Sequence, residues 1–160
     1  MNADIVAKLK SKFGDQALEF GEFRDELTVT VPKEQIVGVC QFLKDDPDLR
    51  FDLLADLCGI DMNTSEKRFG VIYNLFSISK RQRVRLKTFV EEESPKVPTV
   101  TGIWMTANWH ERETYDMFGI VFEGHPDLRR MYMPEEFEHH PLRKDFPLMG
   151  IPGSLPLPKK

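Results

Sequence analysis

The chain has 160 residues, 41% of them hydrophobic and 30% charged, with a formal net charge of −4. That is long enough for one domain with its own core, and an acidic balance shared by both halves argues against a general nucleic-acid binder. No stretch approaches the roughly 20 apolar residues that span a bilayer, and Met1-Asn2-Ala3-Asp4-Ile5-Val6 lacks the features of a signal peptide, so a chain kept in the cytoplasm, or docked there on something else, is expected.

Residues 4–13 place Ile5, Val6, Leu9 and Phe13 on one helical stripe that ends at Gly14. Residues 17–20, from Ala17 to Phe20, and 27–31, from Leu27 to Val31, flank a charged turn and read as a hairpin. Pro32 suits the first turn of a helix. Ile36, Val39, Cys40 and Leu43 then follow at helical spacing and stop before Pro47. Three strands are expected next. Residues 51–60 put Phe51, Leu53, Ala55 and Leu57 on one face. Residues 69–79 are apolar on both faces, as a central strand should be. Residues 81–90 alternate, with Arg81, Arg83, Arg85 and Lys87 on one side. This basic ridge reads as a solvated sheet face partly neutralised by Asp52 and Asp56, or as a docking face for an acidic partner. Residues 91–98 read as a polar loop, and residues 102–118 as helical in two pieces, with Gly119 placed to end the second. The expected fold is α+β: a mostly antiparallel sheet with helices on one face over residues 1–119, then an extended proline-rich arm over 120–160. Seven of the eleven prolines lie in that arm. It also carries Phe137, Leu142, Phe146, Leu148, Met149, Ile151, Leu155 and Leu157, more large apolar side chains than solvated disorder usually holds. Such an arm either folds back over its own sheet or lies extended on a partner, and the partner is the favoured reading.

The residues that carry chemistry crowd one region. Trp109-His110-Glu111-Arg112-Glu113-Thr114-Tyr115-Asp116-Met117-Phe118-Gly119 is followed by Gly124-His125-Pro126-Asp127-Leu128-Arg129-Arg130 and by His140-Pro141-Leu142-Arg143-Lys144-Asp145. Arg112 and Asp116 stand four apart, a spacing compatible with an ion pair. Under a partner such charges would fix register and choice of partner. All four histidines, His110, His125, His139 and His140, fall here among acids, but without the paired spacing of a zinc-protease helix. A stand-alone metal-dependent hydrolase using His110, Glu113, His125 and His140 is the competing reading. The two cysteines, Cys40 and Cys58, read as small core residues and are too few for an ordinary iron–sulfur cluster. No nucleophile motif and no phosphate-binding glycine loop is present.

These residues resemble the signature of the thirty-kilodalton family of respiratory complex I, the C-type subunit of NADH:quinone oxidoreductases. One family block is met by Glu111-Arg112-Glu113, Asp116, Met117-Phe118, His125, Arg129 with Arg130, and Met131-Tyr132. The second is met by His140, Arg143, Lys144 and Asp145. His139 stands where the family often has Gly, and Phe137 and Phe146 where Trp and Tyr are more usual. Similar domains occur in ferredoxin- or F420-linked complexes and in membrane-bound hydrogenases. The resemblance implies a peripheral-arm subunit with no catalytic residue, cofactor or metal of its own. It would pack on the large hydrogenase-like D-type subunit, near the B-type subunit that holds the last cluster, on the cytoplasmic side of the bacterial inner membrane. The complex moves electrons from NADH to quinone through FMN and Fe–S clusters in other subunits and translocates protons. On this resemblance Glu111, Arg112, Glu113, Asp116, Phe118, His125, Arg129, Arg130, His140, Arg143, Lys144 and Asp145 are the expected partner-binding residues.

Overall fold

A computed structural model describes residues 2–14, 18–63, 66–151 and 153 of the chain; Ala17, Leu155 and Leu157, named above, lie outside them. The elements run α1 Asn2–Phe13, β1 Glu19–Phe23, β2 Glu26–Thr30, α2 Ile36–Asp45, β3 Leu53–Asp61, β4 Phe69–Ser77, β5 Gln82–Val90, β6 Lys96–Pro98, α3 Ala107–Phe118 and β7 Val121–Glu123. The hairpin β1–β2 turns at Arg24 and Asp25, both at positive φ (51° and 64°), the geometry that matches strand twist in a two-residue turn. The consecutive strands β3, β4 and β5 form an antiparallel meander. The five-stranded sheet has the order β1-β2-β5-β4-β3 and is mostly antiparallel, so the fold is α+β as expected. Its β2–β5 contact is parallel: the crossover through α2 starts β3 in the direction of β2, and β5, two antiparallel steps later, runs that way again. A second sheet pairs β6 with β7 in parallel. Neither strand is longer than three residues, so neither shows a period, and the end of the expected 91–98 loop is strand instead.

One face of the large sheet carries the core. Leu57, Tyr73, Leu86 and Val29 lie in one row across four strands, and Leu54, Leu75, Val84 and Leu27 in the next. Helix α1 adds Ile5 and Leu9, and α2 adds Ile36, Val39, Cys40 and Leu43. The expected face of β3 is corrected by a β-bulge between Leu54 and Asp56. The extra residue reverses the alternation, so Leu54 joins Leu57 inside and Leu53 turns outward. Cys58 is only half-buried, on the open face, whereas Cys40 is core. The basic ridge is shorter than the alternation suggested. Arg81 sits in the β4–β5 turn at φ 54°. Arg85 binds Glu26 at 2.8 Å and Asn74 at 3.2 Å, since β4 separates β5 from the acids of β3. The stretch 101–106 is turn rather than a first helical piece, and Trp104 is buried there with its indole N–H donating to the Phe51 carbonyl at 3.2 Å.

Helix α3 lies on β3 at Gly59. A Cβ at that position would come within 2.6 Å of the Phe118 ring and 2.8 Å of the Thr114 methyl, so the missing side chain sets how closely helix and sheet approach. This places the inner face of α3, with Glu111, Thr114 and Phe118, over the sheet, and leaves Asp116, buried on another side of the helix, facing the arm.

Candidate functional site: a helix end bound by its own arm

Asp116 is the centre of the site. Its side chain is fully buried. Oδ2 accepts the backbone N–H groups of Met131, Tyr132 and Met133 at 3.0, 2.7 and 3.0 Å, and Oδ1 accepts Arg130 Nη1 at 2.7 Å. Burial alone would raise its pKa, but these donors outweigh it and hold the carboxyl below its ordinary range. One carboxylate thus folds a three-residue stretch of arm around the end of α3. The Arg112–Asp116 pair that the spacing allowed is not made. Arg112 instead donates to the carbonyls of Arg129 (3.2 Å) and Arg130 (3.4 Å), and its guanidinium lies 5.0 Å from the Trp109 ring centre.

The second block caps the same helix. The last carbonyls of an α-helix have no partner within it. Here His140 Nδ1 donates to Asp116 O at 3.0 Å, Leu142 N–H to Met117 O at 3.1 Å, and Arg143 Nε to Phe118 O at 2.7 Å. A cation at this end also meets the negative pole of the helix. Burial, with Arg143 and Arg130 close by, pushes the His140 pKa down and favours the neutral ring. Gly119 makes the clamp possible twice over. It ends α3 at φ 78°, and a Cβ there would stand 2.5 Å from Arg143 Nη2 and 2.6 Å from His140 Nε2.

A second carboxylate holds the far end of the block. Asp61, at the end of β3, accepts the Lys144 N–H at 2.8 Å and both Nε and Nη2 of Arg68, at 3.1 and 2.9 Å. Arg68 also reaches Asp145 at 2.9 Å and Glu92. Against a burial cost that would raise it, Arg68 and the backbone N–H groups of Lys144 and Asn63 hold the Asp61 carboxyl down at about 2. Arg68 and Arg143 stand 5.0 and 4.7 Å from the Phe69 ring centre. Asp61 and Arg68 carried no sequence signal: the first is 83 residues from Lys144, and no spacing rule links them.

At the other end of α3, Glu111 is fully buried and accepts the Val100 N–H at 2.8 Å and the Thr99 hydroxyl. His125 stands beside it, its side chain also fully enclosed. The exposed remainder is apolar and aromatic. Met105 is 88% exposed, Trp109 61% and Tyr132 59%, with Leu142, Leu148 and Met149 also in the open. Glu113, Arg129, Lys144 and Asp145 are exposed around them, while Phe118 is half-covered against Gly59. The histidines are dispersed: His110 faces Asp56 at 3.6 Å, His125 faces Asn108, His139 meets Phe137 edge to face and His140 caps α3. No group of three or more His, Cys, Asp or Glu among the described residues is placed to hold a metal ion.

Residues 29–152 match the family described as "Respiratory-chain NADH dehydrogenase, 30 Kd subunit". The chain belongs to this family. It is 52% identical over 147 residues to the C subunit of NADH-quinone oxidoreductase from Roseiflexus sp. strain RS-1, covering 92% of this chain and 84% of that one. To the C subunit from Geotalea uraniireducens strain Rf4 it is 49% identical over 149 residues, 93% of this chain and 90% of the other. Among solved structures it is similar to the trypsin-resistant fragment 1–134 of Nqo5, with a TM-score of 0.68 and 36% identity over 80% of this chain and 100% of the fragment.

Seen as a member of the thirty-kilodalton subunit family, the chain uses its shared blocks in two ways. Glu111, Asp116, His125, Arg130, His140 and Arg143 turn inward and bind this chain's own backbone and carboxylates. Glu113, Arg129, Lys144 and Asp145 face solvent next to the uncovered aromatics. The periodicity of α3 marks Glu111 as inward, because residues 107, 111 and 114 share one face, but not Asp116, which is buried only by the arm.

Proposed function

We propose that this protein is a non-catalytic peripheral-arm subunit of a proton-translocating NADH:quinone oxidoreductase, on the cytoplasmic side of the membrane. It docks on a homologue of the large hydrogenase-like D-type subunit, close to the B-type one, and the flavin and Fe–S clusters belong to partner subunits. The observation that carries this reading is the arm bound around α3 with Met105, Trp109, Tyr132, Leu148 and Met149 left uncovered beside it. Large aromatic and Met side chains are favoured at protein interfaces, and a patch rimmed by Glu113, Arg129, Lys144 and Asp145 has the layout of one. The inward residues shape the arm and the outward ones meet the partner. Domain 1–119 and arm 120–160 are in this reading a body and a strap, with β7 joining them. No helix among the described residues is long and apolar enough to cross a membrane, so attachment is through the partners.

The relatives named as C subunits of NADH-quinone oxidoreductase favour NADH as donor over the ferredoxin- or F420-linked and hydrogenase alternatives. A tagged chain purified from detergent-solubilised membranes should bring down the D-type homologue at one-to-one stoichiometry, and NADH:quinone activity should reside in that complex and not in the free chain. A chain that purifies alone from such membranes, or that carries stoichiometric metal with its own turnover, would refute the proposal.

A further inference from the structure

The Glu111–His125 contact lies inside this chain and joins three pieces of the fold. Glu111 Oε1 accepts the Val100 N–H and Oε2 the Thr99 hydroxyl, which fixes the turn between β6 and α3. His125, at the root of the arm, has Nε2 at 3.9 Å from Glu111 Oε2 and 3.2 Å from the Asn108 carbonyl. The Asp127 N–H points at His125 Nδ1 at 3.0 Å. A backbone N–H can only donate, so Nδ1 accepts, the proton sits on Nε2 and donates to Asn108, and the ring is neutral. His125 is the only basic side chain among the described residues within ion-pair distance of Glu111. From the other elements the carboxyl is faced by the Thr99 hydroxyl, itself bonded to that of Thr101, by Cys40 of α2 and by Tyr73 of β4, whose buried hydroxyl has no hydrogen-bond partner. None of these carries a positive charge.

We infer that Glu111 and His125 form a proton-dependent lock at the root of the arm: with Glu111 protonated the root is closed, and loss of that proton favours its opening. A neutral acid keeps the Val100 N–H on Oε1 and reverses the Thr99 contact, its O–H donating to a hydroxyl that turns its own proton to Thr101. An ionised carboxyl has no counter-charge, because drawing a proton onto His125 would break the Asp127 N–H bond that holds the root. Burial, opposed only by Thr99 and the Val100 N–H, pushes the Glu111 carboxyl up to about 7. In the opened root it would return to the ordinary range near 4.3. The closed state therefore binds the extra proton between those values, and opening grows by roughly tenfold per pH unit across that window. Asp116, Asp61 and Asp145, held below the ordinary carboxylate range, titrate beneath it.

The test is hydrogen exchange of the full chain between pH 5 and 8, corrected for the intrinsic rate. The amides of Val100, His125 and Asp127 should open roughly tenfold more per pH unit up to about pH 7 and then level off. Glu111→Gln, which imitates the protonated acid, should abolish the slope and keep the root protected at pH 8. Carbon NMR of the wild-type Glu111 carboxyl reads the same proton without a substitution. A carboxyl that titrates below pH 5, or opening that does not change with pH in the wild type, would overturn the lock.

Discussion

Two acids of α3 that lie five residues apart in sequence respond to pH in opposite directions. Asp116 gathers four donors and is held ionised, whereas Glu111 has two donors and no cation, and burial pushes its carboxyl up to about 7. Asp116→Asn removes the charge and leaves an NH2 group facing a donor in either orientation, Arg130 or the three backbone N–H groups. It should cost about 3 kcal/mol, read as a lower denaturant midpoint at unchanged slope and as faster tryptic cleavage at Arg129 and Arg130. Asp61 behaves like Asp116. Its folded pKa is depressed, so its stabilisation is complete above the ordinary value near 3.9 and is lost as pH falls toward about 2. Acid unfolding of the wild type should steepen between those values, and Asp61→Asn should flatten that limb while lowering stability at pH 7. The folded pKa of Glu111 is raised, and its contribution runs the other way: it is full below about 4.3 and is lost as pH rises to about 7. Glu111→Gln should therefore raise the melting temperature at pH 8 and leave it nearly unchanged at pH 4.5.

At the scale of elements, the junction of α3 with the arm depends on one glycine. Gly119→Ala puts a Cβ at positive φ, worth roughly 1–2 kcal/mol, and drives it into His140 and Arg143. Helix content by circular dichroism should hold while the block 140–145 loses exchange protection. If that block stays protected, the cap is not what holds it. Helices α1, α2 and α3 were legible because Ile5 and Leu9, Ile36 through Leu43, and the Gly119 stop repeat at helical spacing. The central position of β4 was legible in its two apolar faces. The inward face of β3 was not, since a bulge at Ala55 leaves no mark in composition. Nor were β6 and β7, too short for any period, or the parallel β2–β5 contact, which depends on where a later strand returns. The site divides likewise. Its blocks stood out as charged and aromatic runs, but their direction did not: Asp116 looked able to reach Arg112 and instead binds residues fourteen to seventeen positions on. Asp61 and Arg68 join the site only through the fold.

Across the whole molecule, the blocks direct their hydrogen bonds inward, and the end formed by α3 and the arm leaves large apolar side chains uncovered. Two carboxylates, Asp116 and Asp61, fasten the arm at both ends of its 130–145 stretch. The side chains this leaves uncovered, Trp109, Tyr132, Leu148 and Met149, are those a partner would bury. The open face of the sheet and the exposed Phe23 at its far edge lie on other parts of the surface and serve as an internal control. The central claim is that this end is the docking surface of a structural subunit. It is tested most directly by co-purifying the D-type homologue from solubilised membranes with Trp109→Ala/Leu148→Asp/Met149→Asp and, separately, with Phe23→Ser. The account predicts that the triple variant stays folded, with an unchanged melting profile, but loses the partner, while Phe23→Ser keeps it at one-to-one. Retention of the partner by the folded triple variant would contradict it.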